Sequence, residues 1–338
     1  MKRSIVILLL LTASAALILL TLDKLMGRTN MKLNGFTRKF VERSWQKVSE
    51  FKLDKSYYSI AGFNNDNIYL QTMKAGELLV LNLPDRKVTK ETISFPPIDK
   101  FEPAFHTTVI YPNVYITGSN ARKMVRGNLE TGEVQVFNIP TGPILSTEII
   151  DGSNAILRCI DTLSYQIEFR KIDFVNGTSG VPVKAGEGIG EDIFAHDGSL
   201  NFDRKKGQFW YVNYYSNGIM EFNTELSNVR RHKSVDTVSR PRVSVAQMEK
   251  SITHRKPPTV VNKQSFVYGR ELYIHSERLA DNEVAPNPDI TILDIYGPDY
   301  RGSLSVPVPS GEFMQAAFVG GNKIAALQKG RLVVFSAN

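Results

Sequence analysis

The chemistry open to this sequence is limited first by where its nucleophiles and metal ligands fall. Five histidines stand at positions 106, 196, 232, 254 and 275. None forms an HExxH or other i,i+4 pair that would set two imidazoles one helical turn apart for a zinc ion. The single cysteine, Cys159, lies in the apolar run 155–160, where a thiol is expected to be buried and inert. One cysteine leaves no disulfide framework and no cysteine-based zinc or haem motif. There is no G-x-S-x-G elbow to present a serine nucleophile. Gly186-Glu-Gly-Ile-Gly190 is glycine-rich, but no helical pattern follows to aim amide groups at a phosphate, so it reads as a flexible loop. No motif calls for a cofactor.

What the sequence does concentrate is charge. Residues 236–258 carry Arg240, Arg242, Lys250, His254, Arg255 and Lys256, with 243–252 expected as a short helix. The next excursion, 276–288, carries Asp281 and Glu283, and Asp289 follows it. Two readings stand. One is a lid that binds an anionic ligand or partner through Arg240, Arg242, His254, Arg255 and Lys256. The other is a pair of solvated loops that neutralise each other.

The formal charge of +7 does not point to nucleic acid. Nine of the 41 basic side chains and three of the 34 acidic ones fall in the first fifty residues, leaving 32 against 31 in the rest. A phosphate-binding groove needs the excess on the folded body.

The elements that would have to position these groups are strands. Beyond residue 50, short runs rich in Val, Ile, Tyr and Phe alternate with Gly, Asn, Asp and Pro turns, the pattern of antiparallel sheet. They repeat as units of four strands, a to d. The first unit reads 58–63, 68–71, 77–82 and 87–95. Four more follow: 106–110, 114–117, 123–128 and 133–140; 148–150, 155–160, 166–173 and 180–183; 199–202, 208–212, 218–223 and 228–235; 260–268, 271–275, 289–294 and 302–308. Strand c of each ends on Asn82, Asn128, Asp173, Asn223 or Asp294, at spacings of 46, 45, 50 and 71 residues. An Asx side chain there bonds backbone amides two residues on and starts the c–d turn. A sixth unit, 314–318, 323–327 and 331–335, lacks its fourth strand, and Gln46-Lys-Val-Ser-Glu-Phe-Lys-Leu53 matches the missing one in type. Pairing the two would close a ring and leave no open edge.

Six such units over residues 46–338 resemble six-bladed β-propellers of the TolB-like kind; a pair of β-sandwiches is the alternative arrangement of the same strands. The resemblance implies an all-β fold with the a strands around a central channel, and it leaves function open, since propellers serve enzymes, receptors and scaffolds alike. It also divides the loops into two faces. The a–b and c–d turns are short, whereas 96–105, 184–198, 236–258 and 276–288 gather at the opposite end. Long loops on a rigid scaffold are where binding sites sit, so a protein or small-molecule ligand is expected on the long-loop face. His106 and His196 fall where both would reach the channel mouth and could share a metal, or stand there as satisfied or solvated histidines. Propeller lactonases hold calcium in the channel with a carboxylate and amides; Glu148, Asn201 and Asn262 lie on inner strands here, but the first blade offers Tyr57-Tyr-Ser59 and no acid. A channel-centred metal-dependent hydrolase is therefore the alternative to a binding module.

Residues 4–22 form an uncharged stretch behind Lys2 and Arg3, long enough at about 1.5 Å per residue to cross most of a ~30 Å hydrocarbon core. Ala13-Ser14-Ala15 offers a cleavage site, but cleavage there would leave Leu17-Ile-Leu-Leu20 at the new terminus. The expectation is an uncleaved signal anchor over residues 1–22, single-pass in the inner membrane, with the propeller on the periplasmic or extracytoplasmic side. Lys24, Arg28 and Lys32 behind the helix argue against that orientation. Residues 23–45 read as a basic juxtamembrane linker, either against anionic headgroups or solvated.

Overall fold

The computed structural model describes residues 33–337 apart from 55–57, 65, 100, 102–103, 187–192, 242, 244, 249–250, 255–257, 284–286, 310, 312 and 319–321. It is an all-β, six-bladed propeller. Five blades are consecutive antiparallel sheets in a–b–c–d order. Their inner a strands are Ser59–Asn64, Phe105–Ile110, Ile144–Ile149, Gly198–Asp203 and Asn262–Tyr268. In the sixth, Phe313–Phe318, Lys323–Gln328 and Arg331–Ala337 are joined by Trp45–Lys52 as the outer strand, with Trp45 opposite Ala337 and Lys52 opposite Arg331. The expected anchor over residues 1–22 lies outside the described residues. Among the described residues no helix is long and apolar enough to cross a membrane.

A four-stranded blade exposes two faces and covers neither by itself. Each gap between neighbours is filled by its own apolar cluster. Phe51, Tyr58, Leu70 and Leu332 lie between blades six and one; Phe169, Phe209 and Phe222 lie between blades three and four. The gap between blades four and five holds a leaner buried set, Trp210, Val212, Ile219, Leu272, Ile274 and Tyr296. It is supplemented by polar bonds: the Tyr296 hydroxyl accepts the Val235 amide, and Asn262 Nδ2 donates to the carbonyls of Asn213 and Ser216. Cys159 is buried in blade three, where burial pushes its thiol up to about 11.

Four of the five Asx positions act as their type demands. Asn82, Asn128, Asp173 and Asn223 each accept amides of their own c–d turn at 2.9–3.1 Å. Asp294 does not. In blade five Leu272 pairs with Tyr296, so the matching place is Gly297, and Asp294 is buried in mid-strand within Thr291–Tyr296. Two further expectations are corrected. Strand d of blade three is split into Thr178–Ser179 and Val183–Lys184, with Pro182, which has no N–H for a ladder, between the pieces. The 243–252 region contains no helix among its described residues but a hairpin, Val245–Met248 against Ser251–His254, in keeping with its β-branched Val245 and Ile252.

Residues 33–44 are no loose spacer. They run as a strap along the outer strand of blade five, Tyr300–Val306, through a parallel bridge of Phe40 to Ser303 and bonds from Ser303 N to Lys39 O and Val41 N to Ser303 O, both 2.8 Å. Gly302 makes the approach possible, because a Cβ there would sit 2.8 Å from Val41 Cγ2. The strap is locked by Arg38, whose side chain is 1% exposed and donates to Asp294 at 2.8 Å and Glu283 at 2.5 Å. Asp281 accepts the amides of Asn34 and Gly35, and Asn282 exchanges two bonds with the Arg38 backbone. Asp281 and Glu283, the acids read in sequence as facing the basic insertion, are thus engaged by the strap.

Two outcomes test this architecture. A chain beginning at residue 33 should remain a soluble, cooperatively melting body. One beginning at residue 54 should aggregate, because it bares the Arg331–Ala337 edge and the cluster around Phe51; matching melting curves for the two would show that closure is dispensable. Arg38→Met should cost about 3 kcal/mol in urea unfolding by leaving two carboxylates buried without their cation. A loss below about 1 kcal/mol would mean that the strap contributes little to the fold.

Candidate ligand-binding face

The inner strands start at the long-loop face and run toward the short turns, lining a channel of about 620 Å³ to which every blade contributes: Tyr58, His106, Glu148, Asn201, Lys263 and Gln315 in blade order. Neighbouring blades are stitched together around the channel by side chains. Gln71 bonds both the amide of Thr107 and the carbonyl of Phe105, Gln264 bonds both backbone groups of Ala316, and Gln315 accepts the Ile60 amide at 2.7 Å. Asn201 donates to Ser265 at 2.7 Å. These glutamines were not singled out in sequence. The available signal was that Gln264 and Gln315 both occupy the third position of an inner strand.

Several groups lining the channel are perturbed, His106 and Glu148 among them. Burial, and then the Arg158 guanidinium, hold His106 below the ordinary imidazole range. Arg158 itself bonds Asp197 at 2.5 Å and the Gly198 carbonyl. Glu148 keeps some exposed surface but is enclosed by the ring of inner strands, and that burial, only partly opposed by Arg204, raises it to about 7. His275 is a core residue 2% exposed, pushed by burial down to about 4. Asn262, read in sequence as a channel amide, has its Nδ2 committed to the carbonyls of blade four.

His106 and His196 line different cavities. His196 ends a short 3-10 turn, Ile193–His196, and its imidazole packs against Gly186, where a Cβ would overlap Nε2 at 2.4 Å. It lines a groove of about 360 Å³ at the long-loop end of blade four. The outer strand of that blade, Arg230–Lys233, adds Arg231, His232 and Lys233 to the groove, and Arg240 closes it from the blade-four-to-five connection. His232 bonds Glu221 at 2.9 Å. Arg240 also lines a cleft of about 510 Å³ with Leu33, Asn34, Thr237 and Arg278. Arg240 is exposed and makes no ion pair among the described residues. Arg278, by contrast, is paired with buried Asp236 at 3.1 Å. Of the other basic residues picked out in sequence, Arg242, Arg255 and Lys256 lie outside the described residues. His254 pairs with Val245 in the hairpin, and its side chain lies outside the description.

The raised carboxyl of Glu148 gives a signed pH effect. Between the ordinary glutamate value and about 7 the folded chain holds a proton that the unfolded chain releases, so this site weakens the fold as pH rises through that window. Glu148→Gln should leave stability nearly unchanged near about pH 4 and add about 1–2 kcal/mol at about pH 8, the full shift being discounted for channel water. Paired urea titrations at both pH values check this; a difference independent of pH would place the Glu148 carboxyl at its ordinary value.

No protein-family model matches the chain, and no curated protein matches its sequence. Solved structures do match its fold. A member of the DUF4221 family from Bacteroides vulgatus aligns over 89% of this chain and 99% of its own, with 13% identity and a TM-score of 0.58. A luciferin-regenerating enzyme aligns over 87% and 95%, with 8% identity and a TM-score of 0.51. A gluconolactonase from Xanthomonas campestris aligns over 90% and 94%, with 8% identity and a TM-score of 0.50. At such identities the likeness is one of fold alone, and it leaves function open.

Proposed function

We propose that the chain is a membrane-anchored, extracytoplasmic binding module that takes an anionic ligand or partner on its long-loop face, in the groove of Arg231, Lys233 and Arg240. The observation that carries this reading is the separation of charge across blades four and five. Three of the neighbouring acids are engaged elsewhere: Asp281 and Glu283 hold the strap and Asp236 holds Arg278. Arg240, exposed and in no ion pair among the described residues, stands at the junction of two cavities. Cations presented in a concave, partly desolvated site attract anions more strongly than the same charges on an open surface. The anchor reading rests on the uncharged stretch 4–22.

A second reading, a channel-centred metal-dependent hydrolase, is supported by Glu148 and Asn201, a carboxylate and an amide that both line the channel. Their neighbours His106 and Tyr58 supply no second carboxylate, so the donor set is thinner than a calcium site of six to eight oxygens asks for.

Thermal shift with phosphate, pyrophosphate, citrate and glucuronate should reveal the class of anion that the body prefers. Arg240→Glu should weaken the best of these by roughly tenfold with little change in the melting temperature without ligand, because an exposed loop charge adds little to stability. Lys205→Glu, in the a–b turn on the opposite face, serves as the control. Equal effects of the two reversals would move the binding surface away from the groove. Calcium- or zinc-dependent lactone hydrolysis abolished by Glu148→Gln would favour the second reading instead.

A further inference from the structure

The strap relates the binding face to the rest of the chain. It begins at Leu33, which is 74% exposed and lines the same cleft as Arg240. From there its path is held rigidly. Asn34 donates to the Leu279 carbonyl and to Asp281, Thr237 Oγ1 donates to the Asn34 carbonyl, and the buried Arg38 triad follows four residues later. Gly35 turns with a φ of +80° beside the Thr237 methyl group, which would lie 3.3 Å from a Cβ at that position. Leu33 therefore lies at the rim of the long-loop face, between blades four and five.

We infer that this face is turned toward the membrane in which the chain is anchored, and that the groove of Arg231, Lys233 and Arg240 docks on anionic phospholipid headgroups. The inference rests on the anchored reading above and names the partner of the same site. Eleven residue steps separate Leu22, where the uncharged stretch ends, from Leu33. At ~3.6 Å per step a fully extended chain reaches at most about 40 Å, and a flexible one of that length averages roughly 20 Å. A surface tethered so closely meets the headgroups at high effective concentration, so contacts too weak to hold a free protein are sufficient. The charge is of the right sign at both ends of the tether. Lys24, Arg28 and Lys32 stand against Asp23 in the connecting stretch, and Arg231, Lys233 and Arg240 are exposed at the face itself. Exposed Leu33 beside those cations adds the apolar contact that interfacial segments use at the headgroup boundary. The short-turn face lies an inner strand's length away, about 20 Å for six residues, and is directed outward.

The test uses the full chain, with Cys159→Ser, carrying a single fluorophore at Ser239→Cys or at Lys205→Cys. Each is reconstituted into vesicles of phosphatidylcholine alone or with phosphatidylglycerol, with a headgroup-attached quencher. The 239 probe should be quenched several-fold more than the 205 probe, more so with phosphatidylglycerol, and high salt should narrow the gap. Arg240→Glu and Lys233→Glu should each lower the face's association with the anionic surface by roughly fivefold, without releasing the chain from carbonate-washed vesicles. Equal quenching at 239 and 205 in chains that stay carbonate-resistant overturns the docking and leaves the anchor standing. Quenching of 239 that is indifferent to phosphatidylglycerol and to both reversals also overturns it. Chains washed off by carbonate remove the anchor, and the docking with it.

Discussion

The constraint on which the rest of the molecule depends is that no blade buries its own faces. Each four-stranded sheet has apolar side chains on both sides, and each side is covered only when a neighbour is present, so six gaps must be filled at once. The last gap involves both ends of the folded body: Phe51 from the closing strand packs with Leu332 and Val334 from the end of the chain against Ile68 and Leu70 of blade one. Closure makes the ring a single cooperative object, because opening one gap would bare two apolar sheet faces and two strand edges together. The inner strands then have no freedom to splay, and the channel width is fixed by the perimeter.

That rigidity explains where polar groups are tolerated. Inner strands have lost the option of packing against a further sheet, so their channel-facing positions carry Thr, Ser, Asn, Gln, His and Glu, and many bond across to the next blade instead of to solvent. The Gln264 and Gln315 bridges, with Gln71 from the second strand of blade one, pair side-chain amides with backbone groups of the next blade, which keeps partly buried polar groups satisfied where the blades meet. The leanest apolar gap, between blades four and five, is the one flanked by the two long excursions and the strap. Polar bonds from Asn262, Asp236 and Arg278 supplement packing there, and the adjoining surface holds the cavities shared by Arg240.

Much of this was legible in the sequence, and the failures have physical causes. Strand rhythm and the Asx turns located blades one to four because local periodicity and turn chemistry act over a few residues. The closing strand was legible because a three-stranded last blade leaves an edge that must be covered. Asp294 misled because an Asp at roughly the right spacing looks the same whether it caps a turn or is buried against a cation 256 residues away. The strap was missed for the same reason. A basic, weakly apolar stretch such as 33–44 has no periodicity of its own, and its structure comes wholly from the partner surface. The hairpin at 245–254 was read as a helix from residues whose β-branching pointed the other way. At the site, the basic excursion was visible as charge, but its neutralisation by the neighbouring acids was not decidable without knowing that Arg38 had taken one of them.

The Arg38 triad bears on why the strap is built with ions instead of apolar side chains. Burying a guanidinium with two carboxylates is seldom a net gain over well-packed hydrophobic residues of similar size, and Phe36, already buried beneath the guanidinium, shows that apolar contact was available. What an ion triad adds is register. An apolar strap can slide along the exposed strand Tyr300–Val306 by two residues and still present the same face. A strap that slides away from Asp294 and Glu283 leaves three charges buried and unpaired, at a cost of several kcal/mol. The bond from Ser303 Oγ to Asp294 ties the same carboxylate to the strand along which the strap runs, so the triad fixes the strap to one position on one blade. A chain that needed only to be connected to its N-terminal segment would have no use for such precision. One whose recognition face must keep a set distance and direction from that segment would, since a shift of two residues displaces the exit point by about 7 Å along the strand.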